Sequence, residues 1–438
     1  AEGANANSAM TFFGQAPAPL NAKLCIMNMA VHGLNAKIKS GDEANSFYHD
    51  AHNLEGCCDY VMANPPFNVD KVKSESTQNA GRLPFGLPGV NAKKEVSNAN
   101  YLWVSYFYAY LNDVGRAGFV MAASSTDSGN KEREIRKQLI QTGHVDCMIS
   151  VANNFFYKVS LPCSLLFFDK GKKEELKDKV LFIDARNYYT VVDRTLNEWS
   201  EWQMKNLNAI VWLYRGEVDK YEKLLMDYRT QIIGDCYELD TEFEALSVLL
   251  KGYGGKLMEL RQQVADTILH VEHINQLLPL NEMLKHYTAE LNSSLKAFIE
   301  YGDSLEKDEA KELAKSIDET ATTWERFKKT ASARIEEVVS QIKACRTVIK
   351  EAKWLTDKFG EGTYEDVLGL CKLATIDEIE EKNWSLTPGA YVGVAPVKED
   401  DENFEERMVE IHKELVALQA ESNQLMDTIS ANFEGFGL

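Results

Sequence analysis

The chain has 438 residues, of which 45% are apolar and 26% charged, and it carries a net charge of −19. That balance excludes a disordered chain, and no run approaches the roughly 20 apolar residues of a membrane-spanning helix. The N-terminus lacks the basic and apolar regions of a signal peptide, and the eight cysteines show no C-x-x-C spacing, so a cytoplasmic chain with reduced thiols and two or three domains is expected.

The first 185 residues alternate short β-rich runs with helical patterns, as a doubly wound α/β sheet does. Strands are expected over 10–13, 36–39, 59–63, 117–122, 145–151, 163–169 and 180–184, with helices over 20–33, 98–112 and 130–142. The strand over 59–63 ends at Asn64-Pro65-Pro66-Phe67. Open α/β sheets bind ligands at the carboxyl ends of their strands, so this turn is the first candidate site. The next segment, 68–97, is rich in Gly, Pro, Asn and Lys, and loops in that position form lids or substrate grooves.

From about residue 196 the apolar period becomes helical and stays so to 358. Leu257, Leu260, Val264, Val271, Ile274 and Leu278, and later Ile335, Val338, Ile342, Cys345 and Ile349, keep a three-four spacing. An antiparallel helical hairpin or small bundle is expected there. The last helix is more regular, with Phe404, Met408, Ile411, Leu415, Leu418, Ser422, Leu425 and Ile429 on one seam and dense charge opposite. Such a seam calls for another helix, in its own domain or in a partner.

The tetrapeptide has a chemical logic. An amino nitrogen on a heteroaromatic ring is a poor nucleophile because its lone pair is delocalised. Two acceptors, the Asn64 side-chain oxygen and the Pro65 carbonyl, can draw it toward tetrahedral geometry, while Pro65 and Pro66 stiffen the turn. Phe67 can stack on a base swung out of its helix. The plainer alternative is a Pro-rich turn closed by an aromatic plug, but the combination arises by chance at only roughly 1 in 10^5 positions.

Charge divides unevenly. Residues 1–235 hold 26 basic and 27 acidic residues, and 236–438 hold 22 and 40, so the halves carry −1 and −18. A near-neutral first half can present a local basic face, for which Lys131, Arg133, Arg136 and Lys137, or Lys170, Lys172, Lys173, Lys177 and Lys179, are candidates. The acidic second half should avoid nucleic acid and meet protein. His49/His52 and His270/His273 lack further ligand types nearby, so no metal site is expected.

Several stretches match a known family in its order: Phe13-Gly14-Gln15, Met27 to Gly33, Gly41-Asp42, Asn64-Pro65-Pro66-Phe67-Asn68, Asn98-Ala99-Asn100-Tyr101, Gly115 to Val120, Phe182 to Arg186 and, near the end, Leu386-Thr387-Pro388-Gly389-Ala390-Tyr391-Val392-Gly393. The chain resembles the modification subunit of type I restriction-modification systems, over about 10–200 and 363–438. The resemblance implies a Rossmann-like methyltransferase sheet over 1–200 that lacks its N-terminal part and a partner-binding region with a coiled-coil-like terminal helix over 361–438, whereas the helical block over 201–360 matches nothing in the family and looks like an insertion or arm. It implies transfer of a methyl group from S-adenosyl-L-methionine to adenine N6 in double-stranded DNA. The DNA site would be chosen by a specificity subunit flanked by two copies of the modification subunit, with a restriction subunit able to join.

Carried over by position, Asn64, Pro65, Pro66 and Phe67 are the catalytic residues. Asp42, Gln15 and Asn64 would contact the cofactor, and Phe155 and Phe156 would join Phe67 around the base. The family's D-P-x-x-G-S-G loop has no counterpart before Phe12, and Ala16 stands where an acidic residue for the cofactor ribose is expected. The chain therefore resembles a C-terminal portion of such an enzyme and is expected to bind the cofactor poorly by itself. The rival expectations are methylation of RNA or of a protein glutamine, and a noncatalytic scaffold.

Overall fold

The computed structural model describes residues 9–156 and 160–395, and beyond them Met408, His412, Leu415, Gln419, Ser422, Asn423, Leu425 and Met426. The chain divides into one unit ending at Gly393 and a second beginning at Val394. In the first unit the strands are β1 (Phe12–Ala16), β2 (Ala36–Ser40), β3 (Cys58–Ala63), β4 (Val72–Lys73), β5 (Glu95–Val96), β6 (Leu111–Ala122), β7 (Val145–Val151), β8 (Cys163–Asp169), β9 (Lys179–Asp184), β10 (Thr190–Asp193), β11 (Leu196–Glu198) and β12 (Cys371–Thr375). The helices are α1 (Pro19–Val31), α2 (Ser74–Asn79), α3 (Asn100–Tyr110), α4 (Asn130–Gln141), α5 (Glu201–Tyr214), α6 (Val218–Leu249), α7 (Gly255–Leu269), α8 (Leu280–Asp303), α9 (Lys307–Ile317), α10 (Trp324–Phe359) and α11 (Ile376–Glu381).

The main sheet is six-stranded, in the order β12-β9-β7-β8-β6-β3. Strands β3 and β6 pair in parallel, as do β7 and β9, whereas β8 runs antiparallel to both β6 and β7 and β12 antiparallel to β9. The carboxyl ends of β3, β6, β7 and β9 therefore share one edge, which is where Asn64 lies. Strands β1 and β2 form a separate parallel pair. The outer edge of β3 has no partner strand among the described residues, and Met62 on it is 92% exposed.

Period-two alternation explains how the sheet is covered. On β9, Leu181 and Ile183 face one core with Cys147, Ile149, α5, α6 and α10, while Val180 and Phe182 face the other with Met148, α3 and α4. Helix α3 is buried from Asn100 to Tyr108, as a helix apolar on every side must be. Helix α5 starts on a reciprocal cap, with Ser200 Oγ accepting from Gln203 N at 3.2 Å and Gln203 Oε1 accepting from Ser200 N at 3.0 Å. At the start of β6 the register slips against β3, and a Cβ on Gly115 would lie 2.6 Å from the Cys58 carbonyl oxygen. Only glycine permits that approach.

The helical block is an antiparallel bundle in which α6 and α10 run side by side and α7 and α8 pack against them. Tyr221, Leu224, Tyr228, Ile232, Cys236, Leu239, Phe243 and Leu246 form the buried stripe of α6, and its core continues without a break into the sheet face covered by α5. A polar joint lies at that junction. Tyr188 stacks on Trp354 at 4.0 Å and donates to Glu351 Oε2 at 2.5 Å, and Asn206 bridges Tyr228 to Glu351. Burial holds the Glu351 carboxyl above its ordinary range.

At the far end of the bundle, a Cβ on Gly302 would lie 2.0 Å from Trp324 Cζ2. Gly302→Ala is therefore expected to cost about 1–3 kcal/mol by overpacking, read from the denaturant midpoint. The control is Gly234→Ala on the exposed face of α6, where no atom lies within 4 Å of the new Cβ. That variant should gain up to about 1 kcal/mol from helix propensity.

Residues 371–393 return to the sheet. Strand β12 pairs with β9, and Tyr391 stacks on Phe182 with ring centroids 4.0 Å apart. The expected boundary at 361 thus precedes a strand of the main sheet, and the strand over 371–375 was absent from the expected elements. Of the eight seam positions of the last helix, Phe404, Ile411, Leu418 and Ile429 lie outside the described residues. Met408, Leu415, Ser422 and Leu425 are described, and each is helical and exposed.

Residues of both basic runs have structural partners. Arg136 is buried and donates to Ser128 O at 2.9 Å, to Tyr101 Oη at 3.0 Å and to the Trp384 carbonyl. Lys170 donates to Leu111 O at 2.8 Å. Lys172 is buried, donates to the Val145 and Lys179 carbonyls, and has its ammonium pushed down by burial to about 8. Because the unfolded chain keeps that proton up to about 10.5, it holds more protons than the folded chain between the two values, and stability should rise with pH across that window. Relative to Lys172→Met, the wild type is expected to gain on the order of 3 kcal/mol between pH 7.5 and 10.5, measured by urea unfolding at each pH.

Candidate active site

The site is built at the carboxyl edge of the sheet. Strand β3 delivers Asn64 and Phe67. Pro65 is buried, Asn64 is exposed and Phe67 is half-buried. The Asn64 side chain and the Pro65 carbonyl have no hydrogen-bond partner among the described residues, and the Phe67 ring has no aromatic partner among them. Two acceptors and one ring are therefore left for something else.

The turn is gripped from downstream by three asparagines. Asn68, in the left-handed region at φ 55°, donates its N–H to Asn100 Oδ1 at 2.9 Å. Its own Oδ1 accepts from Asn100 Nδ2 at 2.9 Å and from Asn98 Nδ2 at 3.0 Å. Ala99 N donates to Val69 O at 2.8 Å as a further rung.

The loop between them, 69–97, is pinned down along its length. Lys73 N donates to Tyr48 Oη at 3.2 Å, and Phe85 packs on Tyr108 at 4.9 Å. Arg82 is buried, donates to Tyr110 Oη at 2.9 Å and lies 4.4 Å from the Tyr106 ring centre. Tyr106 in turn donates to Phe47 O at 2.9 Å, and burial lifts its hydroxyl to about 12, so it stays a donor. Of the two expected forms of this loop, the fixed groove wall fits these contacts better than a lid.

Asp42 begins a short 3-10 turn after β2, exposed, with no hydrogen-bond partner for its carboxylate among the described residues. The Gln15 amide is already engaged. It donates to Ser46 Oγ at 3.2 Å and His49 O at 2.9 Å and accepts from Ala51 N at 3.0 Å, so it organises the loop after Asp42 and has no donor to spare. A cleft of about 640 Å³ lies beside that loop, lined by Lys39, Glu43, Tyr48, His49 and Asp50, and it includes neither Asn64 nor Phe67.

Phe155 and Phe156 follow β7 at the same edge, but β6 and β8 lie between β7 and β3, a separation of roughly 14 Å at ordinary strand spacing. Phe155 packs 4.9 Å from the Trp199 ring and 6.0 Å from Tyr189. Tyr157 lies outside the described residues. Near β6, Leu386 N donates to Thr126 O at 2.8 Å and the Thr387 and Thr126 hydroxyls are 2.7 Å apart, so the Leu386–Gly393 stretch is an anchor on the sheet. The asparagine clasp escaped the sequence reading. Asn98 and Asn100 stood out only as family residues, because nothing in an N-x-N spacing says which backbone it will meet.

A mixed sheet with helices on both faces, followed by a long helical region, is a Rossmann-like α/β architecture. The model of the family described as N-6 DNA Methylase matches residues 1–242, more than half of the chain, and the chain belongs to that family. It is 36% identical over 212 residues to the methylase subunit of the type I restriction enzyme MjaIX of Methanocaldococcus jannaschii, an alignment that covers 47% of this chain and 36% of that protein. Against the HindI methylase subunit of Haemophilus influenzae it is 32% identical over 192 residues, covering 44% of this chain and 41% of that one. The matches thus span about two fifths of the length of these relatives. Among solved structures, the type I methyltransferase subunit of Streptococcus thermophilus overlaps at a TM-score of 0.40 and 24% identity, covering 46% and 41% of the two chains.

Proposed function

We propose that the protein containing this chain transfers a methyl group from S-adenosyl-L-methionine to N6 of adenine in DNA, as the modification subunit of a type I restriction-modification complex. The observation that carries this is the pair of unengaged acceptors, Asn64 Oδ1 and Pro65 O, presented beside the unpartnered Phe67 ring. Asn64 and Pro65 accept the two N–H bonds of the adenine amine, which localises its lone pair for attack. Phe67 stacks on the extruded base, with Phe155 and Phe156 on the far side of the pocket.

The residues present fit the cofactor in part. Asp42 has a free carboxylate and Asn64 a free amide, whereas Gln15 acts through the 46–51 loop. The chain has no D-P-x-x-G-S-G loop. When bound, the cofactor supplies an electrophilic methyl group. Asp42 would hold its adenosine end while Asn64 and Pro65 orient the nucleophile.

The partners follow from the same reading. Double-stranded DNA meets the near-neutral first half. The exposed Met408, Leu415 and Leu425 of the acidic tail support docking on a specificity subunit, which chooses the site. A second copy of the modification subunit and a restriction subunit complete the complex, in the cytoplasm where the DNA is. The 201–360 bundle serves as a protein-contact arm. Among the described residues, no helix is long and apolar enough to cross a membrane.

The test is mass spectrometry of nucleosides from DNA of cells that express the full-length protein with its specificity partner. N6-methyladenine above the host background is the expected result. Its absence, with a specificity subunit still captured, would put the scaffold reading first. Methyl transfer only to RNA or to a protein glutamine would overturn the DNA substrate.

A further inference from the structure

Upstream, the turn 64–67 continues directly from β3. Downstream, Pro65 and Pro66 have no N–H and the Phe67 N–H has no partner among the described residues, so the first tether is Asn68. That residue is held in a closed ring. Its N–H donates to Asn100 Oδ1, Asn100 Nδ2 donates back to Asn68 Oδ1, Asn98 Nδ2 donates to the same oxygen, and Asn98 Oδ1 accepts from Asn100 N at 2.9 Å. The ring fixes the amide orientations without ambiguity, because the Asn68 N–H needs an oxygen and its Oδ1 needs donors.

Asn100 is 4% exposed and opens α3, the most buried helix of the sheet domain. We infer that Asn100, acting through Asn68, is a positioning residue that sets where the Asn64 and Pro65 acceptors stand relative to the incoming amine. The inference rests on the proposed methyl transfer. Its physical basis is rigidity: α3 is locked by packing, the ring transmits that position to Asn68, and the acceptors lie only three and four residues away.

A misplacement of about 1 Å in such a site costs roughly 100-fold in rate. In the full-length protein with its specificity partner, Asn100→Ala should therefore lower kcat about 10- to 100-fold while the KM for S-adenosylmethionine stays within about 3-fold. Asn68→Gly keeps the left-handed backbone and the N–H while its lost side chain takes away the Oδ1 acceptor, so it should lose less, about 3- to 10-fold. Asn100→Gln, which keeps both amide functions on a longer arm, should recover part of the Asn100→Ala loss.

Hydrogen exchange over 64–69 supplies a readout independent of chemistry: the Asn68 amide should exchange faster in Asn100→Ala than in the wild type. Wild-type exchange and wild-type kcat in Asn68→Gly and Asn100→Ala would overturn the inference. Should Asn100→Ala fail to fold, Asn68→Gly together with Asn98→Ala decides it in the same way. Altered exchange with no N6-methyladenine from the wild type would mean that the clasp exists and the reaction assignment fails.

Discussion

Asn64→Ala is expected to lower methyl transfer by about 10^2- to 10^3-fold while leaving the melting temperature within about 2 °C of wild type. The rate effect follows from the role of the side chain as an acceptor that strengthens as the amine becomes tetrahedral, and removal of one such preorganised group typically costs that much. The small stability effect follows from exposure: Asn64 has no hydrogen-bond partner among the described residues, so truncation strands no buried group. Asn64→Asp keeps an acceptor and should retain more activity than the alanine variant. Phe67→Ala should act differently, weakening capture of the extruded base, so it raises the KM for DNA and lowers the fluorescence gain of a 2-aminopurine placed at the target. Wild-type kcat in Asn64→Ala would remove the turn from the chemistry altogether.

Arg215→Met is expected to destabilise the sheet unit by about 3–5 kcal/mol, the largest structural effect we foresee. Arg215 closes α5 and pairs through Nη2 with Asp146 Oδ2 at the second position of β7, where the carboxylate side chain is 2% exposed. Removing the guanidinium leaves a buried carboxylate whose neighbouring cation is Lys172, with an ammonium itself depressed by burial. The double variant Asp146→Asn with Arg215→Met removes both charges and should recover most of the loss, since the penalty belongs to the uncompensated ion and not to the missing pair. Urea unfolding of the two variants against wild type measures both terms. Equal losses in the single and double variants would show that packing, and not charge, governs this corner.

Much of the fold was legible in order. The strands expected over 145–151 and 163–169 coincide with β7 and β8, and those over 36–39, 59–63 and 180–184 fall within one residue of β2, β3 and β9. They are short, β-rich and bounded by polar turns, so local pattern suffices. Strand β12 was not legible: Cys371–Thr375 is only five residues with no clear period-two alternation, and pairing with β9 across a long sequence gap makes it a strand. Arg136 and Lys172 illustrate the same limit. In sequence each belongs to a basic run, and burial against carbonyls is a property of the neighbours.

The sequence by itself determined the chemistry on offer, because two acceptors, two rigid prolines and a ring are side-chain and backbone facts of Asn64 to Phe67. It also determined the helical period of the arm and the segregation of acid into the second half, since both are read from spacing and count. Tertiary structure alone decided that the turn is held by Asn68, Asn98 and Asn100, that Gln15 is already engaged, and that the helical block shares a core with the sheet. These are contacts between residues distant in sequence. Their energies depend on which groups are brought together out of water, and no local pattern encodes that.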